Sequence, residues 1–223
     1  MVLTDDIHEL PPGTWYTQKG GFKMAIQIKT GQLPHDNIDI ISTELRQRLE
    51  NAVARRMVSE ETGVWLYGGL DSSIIASLMR RHVKKLYSFV SGVEGAPDIE
   101  YSHQMAEFLG TEHKVVTVVL DDLMAALPEV IYHLESFDAL LVRSSIVNYL
   151  TAKMASDYVQ DICSGEGADE LFAGYDYIKQ MPTEQISDEL DDIVRRLHDT
   201  AFQRVDRCAY AHSIVPFVPF SDR

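Results

Sequence analysis

The stretch TGVWLYGGLDSS, residues 62–73, decides the reading of the fold. Thr62 to Leu66 is a short apolar run with strand-forming side chains. Gly68 and Gly69 follow, and Ser72 opens a helical pattern that continues to His82 (SSIIASLMRRH). An apolar strand, a glycine turn and a helix make the first half of a βαβ unit. The same alternation continues downstream. Lys85 to Val90 reads as a second strand and leads into the loop Ser91 to Asp98, where Pro97 and Asp98 start a helix that Gly110 ends. His113 to Leu120 is a third, β-branched strand, and Asp121-Asp122 opens the next helix. Ser144 to Tyr158 reads as a further helix and Val159 to Ser164 as a fourth strand. Strands and helices alternating at this spacing predict an α/β fold, a Rossmann-like parallel sheet with helices on both faces. Ligands of such sheets sit at the carboxyl ends of the strands, so the loops after Leu66, Val90 and Ser164 are the candidate sites.

Upstream, Ile38, Ile41, Leu45, Leu49, Val53 and Met57 recur at three- and four-residue steps and predict an amphipathic helix after a loop at residues 31–37. Residues 9–22, ELPPGTWYTQKGGF, combine Pro11-Pro12-Gly13 and Gly20-Gly21 around Thr14, Trp15, Tyr16 and Thr17, which predicts a short hairpin. So small a piece cannot bury itself and needs a larger body to lie on.

The 223 residues hold 34 acidic and 20 basic side chains, for a formal net charge of −14. That excess repels nucleic-acid phosphate and anionic lipid, so neither is expected as a partner. No apolar run approaches the roughly 20 residues that span a bilayer. Met1 to Gly13 lacks the pattern of a signal peptide, so a cytoplasmic location is expected. Cys163 and Cys208 show no metal or disulfide spacing and are expected to fill the core. The acidic stretch Glu184 to Asp192 reads as a solvated helix face.

Two loops carry chemistry. In Tyr67-Gly68-Gly69-Leu70-Asp71-Ser72-Ser73, the glycines present unobstructed N–H groups and the helix start adds donors and a positive dipole end, which together cradle an anion. No GxxxxGK[ST] is present, so this is not the nucleotide loop that holds phosphates with a lysine. Asp71 repels a phosphate unless a hard cation such as Mg²⁺ bridges the two. Taken alone, the stretch reads equally as a plain βα turn with Asp71 favouring the helix dipole. The second loop, Ser164-Gly165-Glu166-Gly167-Ala168-Asp169-Glu170-Leu171-Phe172-Ala173-Gly174-Tyr175, places three acids beside glycines at another strand end. Asp169 can complete a Mg²⁺ site with Asp71, although Asp169 and Glu170 also suit an ordinary helix start.

YGGLDSS resembles the SGGxDS loop of the N-type ATP pyrophosphatases, and SGEGADELFAGY is similar to the second hallmark of the asparagine synthetases and the related β-lactam synthetases. SFVSGVEGAPDIEYSHQMAEFLGTEH resembles that family's second-strand segment, ESFDALLVRSSIVNYL its segment with a site arginine, and RVDRCAYAHSIVPFVPFSD its DRxxMAHxxExRxPFLD helix and turn. The likeness covers residues 37–223 in order. It implies an adenine nucleotide alpha hydrolase-like fold for 37–223, with residues 1–36 resembling the last hairpin of a glutaminase domain.

The resemblance further implies ATP and Mg²⁺ as cofactors and an ATP-dependent ligase chemistry. A small carboxylate such as aspartate attacks the α-phosphorus, pyrophosphate leaves, and ammonia displaces AMP. By matching positions, Gly68, Gly69, Ser72 and Ser73 hold the pyrophosphate, and Asp71 and Asp169 ligate Mg²⁺. Leu66 and Ser91 border the adenosine, Ser164 and Gly165 contact the nucleotide, Glu166 orients or deprotonates ammonia, and Arg143 meets phosphate or carboxylate oxygens.

The sequence departs from the family's pattern at three points. Tyr67 stands in place of the first loop serine, so its ring either swings away or crowds the cradle. No cysteine precedes Cys163, so ammonia is expected from solution or from a separate glutaminase subunit. The family's later lysine segment has no counterpart before Arg223. A nucleotide- or partner-binding subunit with impaired catalysis, or a ligase for another small carboxylate, are therefore the alternatives, and a homodimer is an assembly open to either.

Overall fold

The computed structural model describes residues 10–24 and 37–222. The readings at residues 1–9 and 31–36, and Arg223, lie outside the described residues. The chain forms two compact units, residues 1–38 and 39–223. In the first, β1 (Thr14–Thr17) and β2 (Gly21–Met24) pair antiparallel, with Thr14 opposite Met24 and Thr17 opposite Gly21. The hairpin read at residues 9–22 is thus present, displaced toward its C-terminal end. The rings of Tyr16 and Phe22 meet across it at 5.0 Å, tilted by 55°.

The second unit is built on a sheet of five parallel strands: β3 (Glu61–Trp65), β4 (Lys85–Gly92), β5 (Glu112–Thr117), β6 (Asp161–Cys163) and β7 (Val215–Phe217). Their order is β5-β4-β3-β6-β7. The chain builds outward from β3 through β4 to β5, then crosses back to lay β6 on the other side of β3. That reversal makes a switch point between β3 and β6, and a crevice opens at their carboxyl ends.

Alternation along the strands sends side chains to two cores. Val64, Leu66 and Leu86 pack on one face with Val53 of α1 (Ile38–Ala54), Ile75 and Met79 of α2 (Leu70–Met79), and Ala106 of α3 (Pro97–Leu109). Trp65, Phe89 and Ile162 pack on the other with Ala152 and Ala155 of α5 (Ala139–Ala155) and Val205 and Ala209 of α8 (Ala201–Tyr210). α4 (Leu120–Leu134) joins α5 through Val130, Leu134 and Val142. Of the predicted stripe on α1, Val53 reaches the core with Leu49 and Met57 beside it, while Ile38 is exposed. Cys163 and Cys208 are buried free thiols, and burial pushes both up to about 12.

Several boundaries differ from the sequence reading, each for a local reason. α2 begins at Leu70, not Ser72, because Gly69 is extended and the chain turns helical directly after it. α5 begins at Ala139, not Ser144, because the Asp138 carboxylate accepts from the Leu141 N–H at 2.8 Å and caps the helix. β5 ends at Thr117, and the Val118 N–H instead donates to the Gly92 carbonyl. The segment read as a helix and turn near the C-terminus supplies α8 and then β7, a fifth strand that holds Pro216 because it lies at the sheet's edge. A short α6 (Ala168–Phe172) and α7 (Thr183–Arg196) complete the unit, and α7 carries the acidic stretch on a largely exposed surface. Among the described residues, no helix is long and apolar enough to cross a membrane.

Next to the switch point, buried Asp161 fastens β6 to β3. Its carboxylate accepts from the Thr62 hydroxyl and from Ser59 Oγ at 2.8 Å. Asp161→Ala strands both hydroxyl donors and is expected to cost about 1–3 kcal/mol. Urea denaturation checks this, and an unchanged midpoint would show that the strand pair does not depend on the carboxylate.

Candidate functional site

The loop between β3 and α2 turns at Gly68, which lies at φ +75°, and a Cβ there would stand 2.4 Å from Tyr101 Cβ and 2.7 Å from the Ser102 nitrogen. Only glycine lets this turn pack on α3. α2 then starts at a glycine without a side-chain cap. Its first bond runs from the Ser73 N–H to the Gly69 carbonyl at 3.1 Å, which leaves the N–H groups of the opening turn directed out of the helix.

The loop after β6 comes against that helix start. A Cβ on Gly165 would stand 2.8 Å from the Ser72 nitrogen and 3.0 Å from the Asp71 carbonyl carbon, so the two loops touch backbone to backbone. The second loop is held from β7, where the Phe217 carbonyl accepts from the Ser164 N–H at 2.8 Å, and Ser164 Oγ in turn accepts from the Glu166 N–H at 3.2 Å. Further on, the chain folds back over Asp169. The Gly174 N–H donates to the Asp169 carbonyl at 2.9 Å, and any Cβ at Gly174 would overlap the Asp169 carboxylate.

Between the loops lies a cavity of about 200 Å³. The first loop contributes Gly69, Asp71 and Ser72, and the second contributes Ser164, Gly165, Glu166 and Asp169. Trp65, Tyr67 and Asn148 form the wall toward α5. Seven of the predicted site residues are therefore brought together. Others are not among its lining. Leu66 is fully buried in the core, and Gly68 packs on α3. Ser73 faces a separate groove beside α1. Arg143 is exposed on α5.

The electrostatics of the cavity are acidic. Burial, then the neighbouring charges of Asp169, Glu166 and Glu170, hold the Asp71 carboxyl above the usual carboxylate range. Glu170 is buried and accepts from the Tyr175 hydroxyl at 2.5 Å. Against this stands Arg204 of α8, whose Nη2 donates to Glu166 Oε1 at 2.7 Å and whose Nη1 donates to Ser144 Oγ at 3.1 Å. Burial works against the arginine's charge, and the Glu166 carboxylate holds it. Tyr67, the unexpected residue of the first loop, packs on the α5–α8 face of the sheet and donates from its hydroxyl to Asn148 Oδ1 at 3.1 Å. Burial first, and the charge of Glu166 after it, push the phenol up to about 12, so it is a neutral donor at physiological pH.

Sequence reasoning did not single out Asn148 or Arg204. Both lie on helices distant in sequence from the loops, inside segments quoted for their resemblance but not picked out within them. Asp71 and Asp169 line the cavity from the two loops, and a cation such as Mg²⁺ takes one or two carboxylates and completes its shell with phosphate and water. Among the described residues no group of three or more His, Cys, Asp or Glu side chains is arranged to hold a metal by itself.

The family model described as asparagine synthase matches residues 44–192 of this chain. The glutamine-hydrolyzing root asparagine synthetase of Pisum sativum is 34% identical over 240 residues, covering 99% of this chain and 41% of the relative. Glutamine-hydrolyzing asparagine synthetase 1 of Arabidopsis thaliana is 35% identical over 243 residues, with the same two coverages. The chain thus spans about two fifths of the length of these curated relatives.

The close approach at Gly165 separates two glycines that look alike in sequence. Gly165→Ala is expected to cost about 1–3 kcal/mol through overpacking, a fall in melting temperature of about 2–4 °C per kcal/mol for a chain of this size. Gly69→Ala meets open space at an ordinary φ of −70° and is expected to leave the melting temperature nearly unchanged. Equal effects in the two variants would contradict the packing described.

Proposed function

This chain belongs to the asparagine synthase family, and on that premise we propose that it is an ATP- and Mg²⁺-dependent amidoligase that activates a small carboxylate of the aspartate type and passes it to ammonia. The observation that carries the reading is the contact of Gly165 with the start of α2, because it assembles an uncapped helix N-terminus and three carboxylates into one cavity.

The residues divide the work by their chemistry. The free N–H groups of α2's first turn, with the glycine backbone around them, bind the departing pyrophosphate. Asp71 and Asp169 hold Mg²⁺, which supplies charge neutralisation for the phosphate oxygens. Burial and, after it, the repulsion of the neighbouring carboxylates raise Asp71, and that repulsion is what such a cation relieves. The carboxylate of the substrate displaces pyrophosphate at the α-phosphorus and leaves an acyl-adenylate, and Glu166 takes the proton that ammonia sheds as it displaces AMP. Tyr67 and Asn148 close the α5 side of the cavity. The ammonia source is solution or a glutaminase, the activity that the relatives' names carry. Arg143 is proposed only as a charge at the rim, since its exposure on α5 sets it apart from the cavity lining.

The test is pyrophosphate release from ATP with Mg²⁺, aspartate and ammonium. Asp71→Asn and Asp169→Asn are each expected to lower the rate by about 100-fold or more while the melting temperature stays nearly constant. Calorimetry with ATP and Mg²⁺ separates the alternatives: binding without release by the parent protein would leave a nucleotide-binding module, and release with a different carboxylate would identify another acceptor.

A further inference from the structure

Arg204 enters the candidate site from α8, and one donor of its guanidinium goes to each of two other segments. Nη2 bonds Glu166 Oε1 in the loop after β6, and Nη1 bonds Ser144 Oγ on α5. Only a fifth of the side chain is exposed. Its Nε is buried without an acceptor, a cost that an arginine serving only to tie helices together has no reason to carry. Glu166 is bonded through a single oxygen: among the described residues, Oε1 is engaged by Arg204 and Oε2 accepts no hydrogen bond. The backbone of Glu166 is fixed as well, through Ser164 Oγ. A guanidinium stays charged at any working pH, so it anchors a carboxylate without competing for a proton.

We infer that Arg204 is a positioning residue for Glu166, anchoring one carboxylate oxygen so that the other is free to take the proton of an attacking amine. The inference rests on the ligase reading and deepens it. In the step concerned, the nitrogen lone pair forms the C–N bond at the acyl carbon. The C–O bond to the AMP phosphate breaks with its electron pair on AMP, and one proton passes from nitrogen to Glu166 Oε2. Three other carboxylates, Asp71, Asp169 and Glu170, bear on the same space. Without a fixed cation beside it, Glu166 is repelled from the space these carboxylates share. Charge-assisted bonds to a partly desolvated carboxylate are the strong kind, and removing one partner leaves the other charge buried and unpaired.

The two half-reactions separate this role from a structural one. In the full 223-residue chain, Arg204→Met is expected to lower amide formation from aspartate, ammonium and ATP by about 100-fold. Aspartate-dependent exchange of pyrophosphate into ATP, which needs no amine, is expected to stay within about twofold of the parent, with KM for ATP unchanged. Arg204→Lys keeps the charge without the fork and is expected to recover part of the loss; it carries the test if the methionine variant does not fold. Unchanged amide formation in Arg204→Met, or equal loss of both half-reactions in the soluble variants, would overturn the positioning role. A parent protein that performs neither half-reaction overturns the ligase reading itself and this inference with it.

Discussion

The backbone contact between Gly165 and the first turn of α2 is the constraint on which the rest of the site depends. Any side chain at position 165 would stand 2.8 Å from the Ser72 nitrogen, so the loops after β3 and β6 can share one cavity only if that position is bare. The contact needs β6 directly beside β3, which buried Asp161 secures through Ser59 and Thr62. It also needs the loop held from its far side, which β7 does through the Phe217 carbonyl. One glycine, one buried carboxylate and an edge strand thus set the relation between a helix N-terminus and the acidic loop that faces it.

That relation concentrates charge of one sign. A chain with a net charge of −14 gathers Asp71, Glu166, Asp169 and Glu170 around the carboxyl ends of two strands, and burial together with the other three charges holds the Asp71 carboxyl above its usual range. Two features offset this inside the protein, the dipole of α2 and the guanidinium of Arg204. On the proposed reading, the remaining imbalance is what a divalent cation arriving with a phosphorylated ligand relieves. The acidity that argues against nucleic acid or lipid as partners is therefore compatible with a nucleotide at this one place, where the charges are arranged and not averaged.

Much of the architecture is legible in the chain. The run from Thr62 through Gly69 to the helix beyond it announces the first βα unit, and the repeats of that pattern give the parallel sheet with helices on both faces. What was misplaced has two causes, one a local helix cap and the other a contact with a distant strand. α5 starts five residues before its predicted start because Asp138 caps it. β7 resembles a turn in sequence, with Pro216 in its middle, and is a strand because β6 offers it an edge. In the site, the glycines and acids of the two loops were visible because their spacing is local. Arg143 and Arg204 both sit in segments quoted for the resemblance, but only Arg143 was singled out, whereas Arg204 is the arginine whose side chain meets Glu166.

By itself the sequence determined the alternation of strands and helices, the glycines at which the chain can turn tightly, and the loops where carboxylates gather, because each follows from neighbouring residues and their periodicity. Only the tertiary structure decided which of those residues meet. The order β5-β4-β3-β6-β7 places β6 against β3, Gly165 against α2, and Arg204 against Glu166. It also folds Tyr67 onto Asn148 and ties Ser91 to Thr151. These pairings join positions far apart in the chain, and their partners are chosen by packing across the sheet, which no local pattern encodes.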